Sequence, residues 1–197
     1  MKRVLLVTIA AVAAAAACFA VWRPVEACVG KTIFLGKLPG KEQEMLAEIF
    51  VWMVSERTGT TIQTKSFPDS RTSHAALETA DIDLYLEDQG VALHDILGRP
   101  AGASDVREVV RREYEQRFNL IWLEPWGMTG HAAGAAPTLV APVIRKDTLK
   151  KFPALSRLVN KLSGVVDDAT LARLVQESGQ RPAREVAKQF LKDKRLI

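Results

Sequence analysis

Between residues 33 and 123 short apolar runs alternate with longer amphipathic ones, and this alternation constrains the fold more than any other feature of the chain. Ile33-Phe34-Leu35, ending at Gly36, reads as a strand. After the Pro39-Gly40 turn, Lys41–Thr58 places Met45, Leu46, Ile49, Trp52 and Met53 on one helical face. Glu42, Glu44, Glu48 and Glu56 lie off that face, and Gly59 ends the helix. Thr60–Phe67 is rich in β-branched residues and reads as a strand. A short helix is expected over Ser70–Thr79, capped by Ser70 or Ser73, then a strand over Ile82–Leu86. A charged amphipathic helix capped by Ser104 runs to Phe118, and Asn119–Leu123 is the next strand. The order β-α-β-α-β-α-β predicts an α/β fold: a mostly parallel sheet with helices on both faces.

Beyond Leu123 the pattern changes. Gly127–Ala136 is rich in Gly and Ala and reads as a linker. Thr138–Ile144 is a last strand, and Asp147–Leu162, Asp167–Gln176 and Arg181–Lys194 predict a helical C-terminal region. With 48% apolar and 25% charged residues, the 197-residue chain has enough apolar material for one core.

The first residues stand apart. Lys2 and Arg3 precede an uncharged apolar run, Val4–Trp22, and Arg23-Pro24 breaks it before Ala27. This three-part pattern predicts a signal peptide over residues 1–27, with an uncleaved anchor helix as the alternative. Removing it lowers the formal charge from +4 to about +2. Lys and Arg are otherwise interspersed with Asp and Glu, which argues against nucleic-acid binding. Cys28 would become the first mature residue, a candidate for lipidation or a plain exposed thiol. With only Cys18 besides, the chain holds no disulfide framework and no CxxC metal motif.

Five blocks, in order, resemble the substrate-binding proteins of osmoprotectant ABC transporters, the glycine betaine, choline and proline type. They are Leu35-Gly36 with Glu42-Gln43; Asp81–Tyr85 with Glu87, Gly90, Ala92 and Leu93; Phe118–Pro125; Ala141–Arg145; and Phe152–Leu162 followed by Val166–Thr170. The resemblance implies one lobe of a type II periplasmic binding protein fold, a small quaternary-ammonium solute, an ABC permease as partner and a periplasmic or other extracytoplasmic location. It implies no cofactor and no enzymatic activity.

The chain departs from the family pattern in two ways. The family places a second lobe of roughly a hundred residues between the strand ending at Pro125 and the one containing Pro142; residues 127–137 stand there as a linker. Cage aromatics are also replaced: Asp88 stands for a Tyr, Leu86 for a Pro, and Ala132 for a second Tyr. Any remaining solute site is expected at the strand ends, formed by Lys37, Leu38, Pro39, Tyr85, Asp88 and Trp126. Such an open surface would bind weakly, because it desolvates little of a ligand. The competing reading of Asp88 and Glu87 is the more ordinary one for carboxylates at a strand-end turn, solvation or capping of the next helix. Trp122, on a strand, reads as core. His74, His94 and His131 are dispersed, and the chain contains neither a nucleophile-elbow pattern nor a phosphate loop. The alternative function is a non-catalytic interaction module, docking on a permease or self-associating as a homo-oligomer.

Overall fold

The computed structural model describes residues 31–100, 105–130 and 137–197. The leader, Cys28 and much of the Gly/Ala segment lie outside the described residues. Among the described residues six strands form the sheet: β1 (Thr32–Lys37), β2 (Thr61–Ser66), β3 (Leu84–Asp88), β4 (Leu120–Trp122), β5 (Thr129–Gly130) and β6 (Thr138–Arg145). Their order is β2-β1-β3-β6-β4, with β5 paired to the start of β6. β1 pairs in parallel with β2 and with β3. β6 runs against both β3 and β4, so it is a reversed strand inside an otherwise co-directional sheet. The sequence predicted the strand but not its direction, because a hydrophobic period of two is the same read either way.

Pro142 sits in the middle of this interior strand, a place where proline normally removes a ladder bond. Here β4 ends at Trp122, opposite Val143, and Pro142 lies one step beyond. Its carbonyl accepts the Leu123 N–H at 2.9 Å, so its ring nitrogen faces a strand that has already finished.

One face of the sheet is covered by α1 (Lys41–Thr58) and, outside it, by the C-terminal helices α5 (Lys146–Lys151), α6 (Leu155–Val159), α7 (Asp168–Glu177) and α8 (Ala183–Asp193). α1 buries residues on nearly every side, Met45, Leu46, Ala47, Ile49, Phe50, Met53 and Val54, because it lies between the sheet and this outer layer. The helix predicted over Asp147–Leu162 is broken in two. Phe152, at ψ 71°, has left the helical region ahead of Pro153, which disfavours helical backbone in the residue before it, and α6 starts afresh.

α2 (Ser70–Glu78) and α4 (Val106–Phe118) cover the opposite face, with α3 (Gln89–Val91) running on into a π-helical turn, Ala92–Ile96. The caps of α2 and α4 are aspartates rather than the expected serines. Asp69 accepts the Thr72 N–H at 2.8 Å, and Asp105 accepts the Glu108 N–H at 3.0 Å.

Candidate functional site at the strand ends

β1, β3 and β4 all end at one edge of the sheet, and β6 begins there; crevices at such edges are where open α/β sheets take ligands. Lys37 is the half-buried last residue of β1, and its carbonyl accepts the Phe67 N–H at 3.0 Å. Leu38 and Pro39 carry the chain into α1 through Gly40, whose φ of 116° suits glycine. With Gln43 and Val175 they line a cleft of about 410 Å³.

The other expected site residues face elsewhere. Tyr85, 1% exposed, lies in the core beneath α2 and α4, whereas Trp126, 0% exposed, lies in the core beneath the C-terminal helices. Strand alternation explains Tyr85: Leu84 and Leu86 face one core, and Tyr85 the other. Trp126 is covered by a distant segment. Val166 donates its N–H to the Trp126 carbonyl at 3.2 Å, and Gly127, at φ 121°, leaves room for Gly164 and Asp167.

Asp88 turns inward as a structural tie. Its carboxylate accepts the Gly90 N–H at 2.7 Å, capping α3, and the Thr138 hydroxyl at the start of β6. It also packs so closely on Gly130 that any side chain there would strike it. The Thr129 N–H donates to Asp168 Oδ1 at 3.0 Å from the other side. The β5–β6 hairpin, with Gly130 directly opposite Thr138, is therefore pinned at both flanks. Thr138, Gly130 and Asp168 were not singled out from the sequence; a glycine beside a strand end in a small-residue stretch was the one available signal.

Next to Asp88, Glu87 is 1% exposed. Its Oε2 accepts the Tyr114 hydroxyl at 3.0 Å. Burial pushes its carboxyl up from 4.5 to about 8, against the lowering effect of Tyr85 and Tyr114. The rim thus offers one half-buried cation, an apolar edge and backbone polar groups. No three His, Cys, Asp or Glu side chains among the described residues are placed to hold a metal ion, and none of the described helices is long and apolar enough to cross a membrane.

The family model for the substrate binding domain of ABC-type glycine betaine transport systems matches residues 31–141 and 131–193. The chain belongs to this family. The two matched pieces meet over residues 131–141, at the hairpin. No curated protein matches the chain in sequence. Among solved structures, a glycine betaine/carnitine/choline ABC transporter protein superposes with a TM-score of 0.76 at 12% identity, over 84% of this chain and 98% of that one. Apo YehZ from Escherichia coli gives 0.69 at 14% identity, over 84% and 99%. Lactococcal OpuAC in its closed form with glycine betaine gives 0.59 at 8% identity, over 84% and 96%. At such identities the likeness establishes the fold, that of the periplasmic binding proteins. This substrate-binding domain family is one of solute transport, not of enzymes.

Proposed function

We propose that the protein is an extracytoplasmic solute-binding component of an ABC system for glycine betaine- or choline-like osmoprotectants, working as a single lobe with weakened ligand binding. The carrying observation is the family match, in two pieces joined where β5 and β6 form a direct hairpin. Seven residues separate Gly130 from Thr138, too few for the lobe that the resemblance leads one to expect there. In this reading the leader over residues 1–27 directs export, Cys28 is the candidate anchor, and the solute meets the rim formed by Lys37, Leu38 and Pro39, with Asp88 bracing it from within. Without aromatic walls or an opposing lobe, a quaternary ammonium gains little cation–π energy or desolvation. Calorimetric titration with glycine betaine, choline and proline tests it: weak heats at millimolar solute are expected, and none with any of the three overturns it.

A second reading is favoured by the inward orientation of Tyr85, Trp126 and Asp88. A rim without an exposed aromatic face suits a non-catalytic interaction module, docking on an ABC permease or on a second copy. Gel filtration of residues 28–197 separates the readings. The module predicts a dimer, or a complex once the permease is added, together with silent calorimetry.

A further inference from the structure

The buried acid beside the rim has no role in solute contact, yet it sits at the point where the hairpin is fastened. Glu87 directly precedes Asp88, the residue that ties α3, Gly130 and Thr138 together. It pairs across the ladder with Ala141 of β6. Its side chain projects under α4, where Oε2 is held by Tyr114 while Oε1 has no hydrogen-bonding partner among the described residues. The Tyr85 hydroxyl is likewise buried without a partner. The titratable and charged groups that face Glu87 are Tyr85 and Asp88 on its own strand, Tyr114 of α4 and Asp95 of the π-helical turn. His74 of α2 stacks edge-on against Tyr114, its ring centroid 5.1 Å away, and Glu78 acts on Tyr114 from the same helix. Asp88 and Asp95 disfavour a negative charge on Glu87, the Tyr85 and Tyr114 hydroxyls favour one less strongly than burial opposes it, and none of these groups is a cation.

We propose that Glu87 is a pH-sensitive lock on the strand-end rim: as the neutral acid it holds the end of β3 closed under α4, and its ionisation releases β3 together with the hairpin that Asp88 fastens. In the closed form the carboxyl keeps its proton. Opening exposes it to water, and the proton passes to the solvent. A carboxylate in this core is a buried charge with one hydroxyl donor, next to a second carboxylate, which is the situation low-dielectric surroundings penalise. Because the closed form holds a proton that the open form gives up, the opening constant rises about tenfold per pH unit until the closed form itself ionises. The usable window starts at 6.5. Below it, His74, which burial holds down to about 4, takes up a proton on opening and masks the effect.

Hydrogen exchange between pH 6.5 and 8, corrected for the intrinsic base-catalysed rate, reads the lock directly. Amides of residues 84–90 and 138–141 in the wild type are expected to lose protection about tenfold per pH unit. Glu87→Gln, which keeps the shape and accepts the Tyr114 hydrogen bond, is expected to hold its protection constant. Equal loss in wild type and variant overturns the proposal. Should the variant fail to fold, the wild-type Glu87 carboxyl carbon is followed by NMR. A protonated signal at pH 6.5 that titrates with the loss of protection supports the lock, and a carboxylate signal at pH 6.5 sinks it.

Discussion

Asp83 shows how much a single side chain can fasten in this fold. Its Oδ2 accepts the Phe34 N–H at 2.9 Å and its Oδ1 the Thr148 hydroxyl at 2.6 Å. Its backbone donates to the Phe34 carbonyl at 2.8 Å and accepts the Arg145 N–H at 3.1 Å. β1, β6 and α5 are thus joined to β3 at the edge opposite the rim. Asp83→Ala leaves a donor amide and a hydroxyl without their acceptor and is expected to cost about 1–3 kcal/mol. Asp83→Asn, which retains one acceptor oxygen, should cost less. Urea unfolding with unchanged slope and a lowered midpoint checks both. His74 sets the acid side of the stability profile. Its folded value, about 4, lies below the ordinary 6.5 because the ring is buried against Tyr114 and Phe118. The unfolded chain therefore takes up a proton that the folded chain refuses, and stability from this group is lost as pH falls from 6.5 towards 4, by about 1.4 kcal/mol per pH unit. Glu87 has the opposite sign: its folded value is raised, so its contribution is full below about 4.5 and is lost as pH rises towards 8. The two largely cancel between about 4.5 and 6.5. The wild type should show a plateau there and a decline from 6.5 to 8. His74→Leu should replace the plateau with a decline that starts near pH 4.5, read from unfolding midpoints at pH 5, 6.5 and 8.

Among the elements, the β5–β6 hairpin is held less by its own two-residue ladder than by what it touches. A methyl group at residue 130 collides with the Asp88 carboxylate, so Gly130→Ala is expected to destabilise by about 1–3 kcal/mol. Asp88→Ala removes the α3 cap and the Thr138 bond, at about 1–2 kcal/mol. Since the same carboxylate causes both effects, the double variant should be more stable than the sum of the single ones by at least about 0.5 kcal/mol, and strict additivity would refute the contact. This level also shows where sequence reading succeeds and where it stops. Lys41–Thr58 was legible to the residue, because Gly40 and Gly59 bracket an uninterrupted apolar pattern and both adopt positive φ. The strands were legible from their composition, but neither the reversal of β6 nor the small strand Thr129–Gly130 was, since pairing direction is decided by a partner strand far away in the sequence. Trp126 misled for the same reason. Position past a strand end implies exposure only until the turn at Gly164–Asp167, some forty residues later, closes over it.

On the scale of the whole molecule, α1 joins the sheet to the helical C-terminal region. Its inner side packs on β1 and β2, and its outer side meets α8. There Trp52 lies between the cations of Arg184 and Lys188, 5.0 and 3.8 Å from its ring centre. Lys188 also approaches Glu56 to 3.8 Å, and the Arg57 side chain donates to the Leu196 carbonyl at 2.7 Å. α8 buries Val186, Ala187, Phe190 and Leu191. At about 1.5–3 kcal/mol for each large apolar side chain, that contact is worth roughly 5–9 kcal/mol before entropy is counted. Net stabilities of domains are only about 5–15 kcal/mol, so the tail supplies an amount comparable to the whole margin. The outer face of α1 would meanwhile be left with Trp52 uncovered. Residues 31–180 are therefore expected to be unfolded or aggregated, with the far-ultraviolet dichroism of a disordered chain, while residues 31–197 unfold in one step whether followed by tryptophan fluorescence or by dichroism. A monomeric, cooperatively folding 31–180 would mean that the sheet is stable on its own and that the C-terminal helices are an accessory layer.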